Sequence, residues 1–160
     1  MVCNCLISSA KIYVMYHGTS SLETAALIGQ NGLKASSGGL LGPGVYVSRN
    51  IQKAEQYRGK EGVIFEVLIM VGGVCHIQDH LLPVPFGKKL SASLLQRMVP
   101  AKDLVPDSWS HSSPWHDAGY DTAWVPNNCP RHLFHGGAGW DQGHKEETCV
   151  FETNRVTVVR

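Results

Sequence analysis

The sequence contains little charge, no excess of either sign and no long apolar run. Of its 160 residues 17% are charged, and 14 basic against 13 acidic side chains give a net charge of +1 with histidine neutral. So small a net charge provides no strong field for nucleic acids or anionic membranes. The longest apolar run, Val63–Val74, is interrupted by Glu66 and is too short to span a bilayer. We therefore expect no membrane partner and no charge-driven binding of nucleic acid.

The cysteines form no paired pattern. The five cysteines stand at positions 3, 5, 75, 129 and 149, an odd number without C-x-x-C spacing. This pattern suits a reduced compartment, and the N-terminal stretch lacks the basic start of a secretory leader, so we expect a soluble, cytoplasmic protein. Cysteine and histidine lie close together in residues 75–80 and 129–135. Buried cysteine and surface histidine explain those stretches better than a metal site does.

The remaining composition is that of a folded domain. Hydrophobic residues make up 43% of the chain, and a chain of this length buries about two-thirds of its unfolded surface. No internal repeat or linker-like stretch divides it. We predict a single domain over residues 1–160, in which residues 1–10 form a flexible N-terminal segment.

Strand and helix signals alternate along the first half of the chain. Runs of apolar and β-branched residues predict strands at Ile12–Tyr16, Gly44–Ser48 and Val63–Val71. The capping-box pair Ser20 and Glu23 predicts a helix over Ser21–Gln30. Asn50 is predicted to cap a second helix that extends to about Arg58.

The second half carries weaker signals. A short helix is predicted at Ser91–Met98 and a strand at Tyr120–Val125, within a loop-rich stretch of residues 106–145. Two closing strands are predicted at Thr148–Phe151 and Val156–Val159. This order of elements predicts an α+β fold, with a split, largely antiparallel β-sheet and short flanking helices.

Three short segments carry candidate site residues, and the first is Tyr16-His17-Gly18-Thr19. It lies at a strand end just before a capped helix, where a histidine can present its ring to a ligand. The adjacent glycine lets backbone N–H and C=O groups approach a flat polar ligand closely. Taken alone, this segment is typical of a structural turn.

The second segment combines a glycine loop with two tyrosines. Tyr46 leaves the loop Gly42-Pro43-Gly44 for a strand, and Tyr57 lies in the helix that follows. Two aromatic rings placed in this way can hold a planar heteroaromatic ring, with stacking worth about 0.5–1.5 kcal/mol beyond burial. Two ordinary core tyrosines are the alternative.

The third segment, Glu146-Glu147-Thr148-Cys149-Val150-Phe151, places carboxylates at the start of a β-run. A carboxylate held there can hydrogen-bond a sugar hydroxyl and stabilise a developing oxocarbenium ion, as carboxylates do in glycoside cleavage. A solvated acidic pair at a strand start is the alternative.

In this order, the three segments resemble the catalytic domain of the poly(ADP-ribose) polymerase (PARP) type, the diphtheria-toxin-like ADP-ribosyltransferases with a His-Tyr-Glu triad. The family motifs His-Gly-Thr, Gly-x-Tyr and Lys-Ser-x-x-Tyr are matched by His17-Gly18-Thr19, Gly44-Val45-Tyr46 and residues 53–57. Glu147 fits the third motif in a better register than Glu146. The resemblance extends from about Tyr16 to Phe151 and implies a split β-sheet. Residues 116–126 are also similar to a small interferon-induced antiviral group of this superfamily, the fish reovirus-induced gene two products.

The resemblance implies an NAD-dependent ADP-ribosyltransferase that cleaves the nicotinamide–ribose bond. ADP-ribose would pass in mono-transfer to an unknown protein or nucleic-acid acceptor, as part of antiviral innate immunity. NAD is the implied co-substrate, and no metal is implied. The implied catalytic residues are His17, Tyr46 and Glu147, and the implied NAD-binding residues are His17, Gly18, Thr19, Tyr46, Ala54 and Tyr57.

Each role is likewise implied by the resemblance. Gly18 would bond the nicotinamide carboxamide through its backbone, while Tyr46 and Tyr57 would stack on the ring. His17 would hydrogen-bond the adenosine ribose, and Glu147 would hold the nicotinamide-ribose hydroxyl. Residues 35–42 would form the loop that covers the dinucleotide.

Ala54 departs from the family pattern, which has a serine there. The missing hydroxyl removes one hydrogen bond to a neutral ligand, at about 0.5–1.5 kcal/mol, or roughly three- to tenfold in affinity. A catalytically weak or silent NAD-binding or interaction module on the same fold therefore stays open. An NAD-dependent RNA 2-phosphotransferase is a further alternative, which the small net charge disfavours.

Overall fold

The computed structural model describes residues 11–76, 113–127 and 145–159. Within these ranges the helices are α1 (Leu22–Asn31), α2 (Ile51–Arg58) and the short α3 (Pro114–Asp117). The strands are β1 (Ile12–Thr19), β2 (Val45–Val47), β3 (Val63–Met70), β4 (Val74–His76), β5 (Thr122–Val125), β6 (Glu147–Val150) and β7 (Val156–Val158). A single 3₁₀ turn, Thr153–Arg155, immediately precedes the last strand in these ranges.

The strands form two sheets that are mostly antiparallel. One sheet has the order β1-β3-β7 and the other β2-β6-β5-β4, in which only β4 and β5 pair in parallel among the described strands. The two sheets meet at one backbone bridge, where Tyr16 N–H donates to Ser48 at 2.7 Å and Ser48 N–H donates to Tyr16 at 3.0 Å. The predicted α+β class with largely antiparallel strands is therefore confirmed.

Alternation along β3 explains how the first sheet is buried. Val67 and Ile69 are fully buried, while their neighbours Leu68 and Met70 are 37% and 39% exposed. Successive side chains of a strand point to opposite faces, so a period of two buries one face only. The buried face packs between the sheets with Met15 of β1 and with apolar residues of β2 and β6.

A second apolar cluster lies on the other face of the four-stranded sheet. Trp115 is fully buried there and its indole N–H donates to the Leu41 carbonyl at 2.7 Å. Cys75 and Cys149 belong to the same cluster. The buried-cysteine interpretation is therefore confirmed for Cys75, whereas Cys129 lies outside the described residues.

The helix caps agree with the sequence at α2 but differ at α1. The Asn50 side chain accepts from Gln52 N–H at 3.0 Å, as predicted. For α1 the cap is Ser21, which accepts from Thr24 N–H at 3.1 Å, so the predicted capping box starting at Ser20 is wrong. Adjacent serines offer the same hydroxyl, and the extended backbone at Ser21 decides which of them caps.

In the described residues of the later part of the chain, one strand and one α-helix were not predicted from the sequence. They are β4 and α3, which have three and four residues and so show no readable periodicity. The strand predicted at Tyr120–Val125 is present as β5, but it begins later, at Thr122. The predicted helix at Ser91–Met98 and the terminal segment 1–10 lie outside the described residues. None of the described helices is long and apolar enough to cross a membrane.

Candidate functional site

A cavity of about 340 Å³ opens where the two sheets separate. β1, β2, α2 and the start of β6 each contribute to its lining, and residues 36–40 form a further wall. Apart from Thr19, all the predicted site residues line it: His17, Gly18, Tyr46, Ala54, Tyr57 and Glu147. Thr19 is buried beside Val63 in the ladder of β1 and β3 and is not part of the lining.

The ring of His17 is held by a backbone carbonyl of the neighbouring strand. Its Nδ1 lies 2.8 Å from the Tyr46 carbonyl oxygen. A carbonyl can only accept, so Nδ1 carries the proton. Burial lowers the pKa of His17 although this hydrogen bond acts against it, so the ring is neutral near pH 7. Nε2 is then left as an acceptor for a hydroxyl.

Tyr46 is fixed to the glycine loop by its hydroxyl. The hydroxyl donates to the Gly42 carbonyl at 2.6 Å and accepts from Leu41 N–H at 2.8 Å. Gly39 lies so close to the phenol that any Cβ there would collide with it. Burial strongly raises the pKa of Tyr46, so its hydroxyl stays protonated and serves as a structural clamp.

Gly18 presents its backbone to the cavity. Tyr16 directs both its N–H and its C=O towards Ser48. Backbone groups of successive strand residues alternate between the two edges, so Gly18 directs its own pair to the same edge as Tyr16. Beyond this bridge β1 and β2 separate, and no described backbone group of another element bonds Gly18 there. Gly18 thus offers one donor and one acceptor side by side.

A glycine is required at this position because α2 packs directly against it. A Cβ on Gly18 would collide with the Ala54 carbonyl oxygen and would lie 3.3 Å from Arg58 N. The close approach brings Ala54 and Tyr57 to the same cavity as the exposed edge of β1. Tyr57 itself is 55% exposed, so its ring is available at the mouth.

Glu147 forms an ion pair with Lys53, which the sequence analysis did not place among the site residues. Oε2 of Glu147 lies 2.8 Å from Lys53 Nζ, and the two side chains are only 8% and 11% exposed. Burial alone would lower the pKa of Lys53, but the nearby carboxylate outweighs it and raises the pKa. Lys53 begins the matched segment of residues 53–57, and its spacing of four residues from Tyr57 places both on one helix face. That spacing could have indicated Lys53 as a cavity residue, although not its pairing with Glu147.

Glu146 is used differently and does not line the cavity. Its carboxylate accepts from the Trp124 indole N–H at 2.6 Å, from the Ser48 hydroxyl at 3.0 Å and from the Arg49 side chain. Burial would raise the pKa of Glu146, but these bonds lower it below its ordinary value. Of the two adjacent glutamates, Glu146 is therefore a structural anchor and Glu147 is the carboxylate in the cavity.

Ala54 leaves an apolar patch in the cavity wall. The residue is 3% exposed and ends in a methyl group. The Ser48 hydroxyl, which also lines the cavity, is already engaged, because it donates to Glu146 and accepts from Asn50 N–H at 3.0 Å.

The cysteines described in the structure show no reactive character. Burial raises the pKa of Cys75 and of Cys149 to about 12, so both thiols are protonated near pH 7. Within residues 11–76, 113–127 and 145–159 no three metal-ligating side chains come together. His80 and residues 129–135, which completed the two cysteine–histidine stretches, lie outside the described residues.

No protein-family model and no curated protein matches this chain. The function of this protein is therefore inferred from the geometry of the cavity.

Proposed function

We propose that this protein is an NAD-dependent ADP-ribosyltransferase of the PARP type that transfers a single ADP-ribose unit. The bond between nicotinamide and ribose C1′ breaks, nicotinamide leaves with the bonding electron pair, and the acceptor's nucleophile bonds to C1′ as it loses its proton. The two mostly antiparallel sheets, which are bridged through their backbones at Tyr16 and Ser48, fit the split sheet that the resemblance implies.

The backbone edge at Gly18 is the observation that carries the proposal. A primary carboxamide has one carbonyl acceptor and N–H donors on the same carbon, so it can pair with the N–H and C=O of a single strand residue. Gly18 offers this pair at a cavity that also contains Tyr57 and Tyr46. A planar amide on an aromatic ring, as in nicotinamide, matches both features.

The neutral His17 supports binding of a ribose. Its Nε2 accepts and cannot donate, since Nδ1 holds the proton for the Tyr46 carbonyl. Ribose hydroxyls are donors, whereas phosphate oxygens are not. We propose that His17 takes a hydroxyl of the adenosine ribose and that the tyrosine clamp keeps the ring in place.

The carboxylate of Glu147 supports the bond-breaking step. Positive charge develops on the ribose as nicotinamide leaves, and a fixed carboxylate in a shielded cavity stabilises that charge. Glu147 is 6% exposed and begins β6, where its pairing with Val125 of β5 holds its backbone in the sheet. We propose that it also bonds the 2-hydroxyl of the same ribose.

The acceptor is proposed only by class, as a protein or nucleic-acid nucleophile in the cytoplasm. A role in antiviral defence rests on the similarity of residues 116–126. The described side chains of that stretch include Tyr120, Ala123 and Val125, which are buried in the apolar cluster. The stretch therefore supports the fold around the cavity and does not contribute to the lining.

Ala54 favours a second candidate, a silent NAD-binding or interaction module. Its methyl group cannot bond the carboxamide, and the Ser48 hydroxyl is already engaged. Such a module would bind NAD weakly and release no nicotinamide.

NAD labelled separately in its nicotinamide and in its adenylate part tests the proposal and separates the candidates. A transferase releases the first label and retains the second on protein. Release without retention indicates that water is the acceptor. Binding without release identifies the silent module, and absence of binding contradicts both candidates.

A further inference from the structure

Lys53 is the feature of the cavity that the proposed reaction leaves without a role. Its ammonium group is 2.8 Å from the Glu147 carboxylate and 5.4 Å from the centre of the Tyr57 ring. Because Lys53 and Tyr57 are four residues apart, α2 presents both on one face. The ammonium group thus lies against the ring on which nicotinamide is proposed to stack.

The charges of the cavity balance at this pair. Among the described residues that line it, Lys53 and Glu147 are the charged side chains, and the histidine of the lining is neutral because burial lowers its pKa. The nicotinamide ring of NAD carries one positive charge, whereas the ring of its reduced form, NADH, carries none. Two cations at one aromatic ring repel each other, and burial strengthens the repulsion.

We infer that the Lys53–Glu147 pair sets how strongly the cavity prefers a cationic ring to a neutral one, and that Lys53 weakens this preference. The inference rests on the proposed function, because it requires the nicotinamide ring to lie against Tyr57. Lys53 is thereby a specificity-determining residue: its ammonium group offsets part of the attraction that the Glu147 carboxylate exerts on a cationic ring. The cavity then selects its ligand by the carboxamide and the ribose.

The ratio of the dissociation constants of NADH and NAD measures this preference. Stopped-flow fluorescence at one fixed pH gives both constants for each variant. Lys53→Met removes the cationic partner of the Glu147 carboxylate, and we expect the preference for NAD over NADH to rise by about threefold or more. Glu147→Gln removes the anionic partner of the Lys53 ammonium group, and the preference for NAD over NADH is expected to fall by a similar factor.

The double variant Lys53→Met with Glu147→Gln restores the charge balance and removes the cost of a buried unpaired charge. We expect its preference to return to that of the wild type, and Lys53→Arg to leave the preference unchanged. Opposite shifts in the single variants and cancellation in the double variant support the inference. If all variants that bind show the same preference, the inference about Lys53 is overturned, but the proposed function is not. If the wild type binds neither dinucleotide, the proposed function falls and this inference falls with it.

Discussion

At the scale of single residues, the contact between Gly18 and Ala54 positions the candidate site. Gly18 turns its backbone to the cavity, and the Ala54 carbonyl takes the space that a side chain on Gly18 would need. Recognition and packing therefore depend on the same missing Cβ.

Gly18→Ala is expected to lower the free energy of unfolding by about 1–3 kcal/mol, since β1 and α2 must move apart. NAD affinity is expected to fall at least tenfold because the donor–acceptor pair moves with β1. Urea unfolding and calorimetry measure the two effects.

Gly29→Ala is the matched control, because a Cβ there meets nothing within 4 Å and α1 does not line the cavity. It should stabilise the protein by about 0.5–1 kcal/mol, the ordinary gain for glycine to alanine within a helix. Equal stability of the two variants would contradict the close packing described for Gly18.

Ala54→Ser should tighten NAD binding by roughly three- to tenfold, because a hydroxyl restores one hydrogen bond to the carboxamide. Titration calorimetry compares it with Ala26→Ser, the same change at an exposed position of α1, which should leave the affinity unchanged. Equal or weaker binding by Ala54→Ser would mean that the carboxamide does not reach α2.

At the scale of elements, α2 carries side chains of the cavity and is itself stabilised by a side-chain cap. It carries Lys53, Ala54 and Tyr57, and its first turn is capped by the Asn50 side chain. α1 has an equivalent cap at Ser21 and contributes no side chain to the cavity. The two caps therefore allow local stability to be separated from binding.

Asn50→Ala and Ser21→Ala should each cost about 1 kcal/mol of stability, the usual value of a lost N-cap. Only Asn50→Ala is expected to weaken NAD binding as well, by several-fold, because the first turn of α2 frays next to Lys53. Thermal unfolding and NAD titration measure the two effects. The same loss of affinity in both variants would show that α2 has no special role.

Elements with clear periodicity could be predicted from the sequence, and those made by distant contacts could not. β1 and β3 follow from runs of apolar and β-branched residues and α2 follows from its cap, whereas β4 and α3 are too short to give a readable pattern. The candidate site residues were found as motifs. The pairing of Lys53 with Glu147 depends on the approach of α2 to β6, which no local pattern reveals.

At the scale of the whole molecule, Glu146 ties the end of β2 and the start of α2 to β5 and β6. Its carboxylate accepts from Ser48, Arg49 and Trp124. The pKa of Glu146 lies below its ordinary value of 4.5. Its contribution to stability is therefore complete above about pH 4.5 and is lost as the pH falls through the lower folded-state value.

Glu146→Gln is expected to lower the free energy of unfolding at pH 7 by about 2–3 kcal/mol, because charged hydrogen bonds are replaced by weaker ones. The variant should also lose less stability than the wild type on acidification below about pH 4.5. Urea unfolding over a pH series measures both. Parallel pH curves for the two proteins would exclude Glu146 as the titrating anchor.

The central claim for the whole molecule is that the cavity breaks the nicotinamide–ribose bond with the help of Glu147. The most direct measurement is the release of labelled nicotinamide from NAD by the wild type and by Glu147→Gln, with NAD binding measured on the same samples. We expect release by the wild type and none by the variant, while the variant still binds NAD within a few-fold, because the carboxylate acts on the developing charge. Equal release by the two proteins would contradict the account.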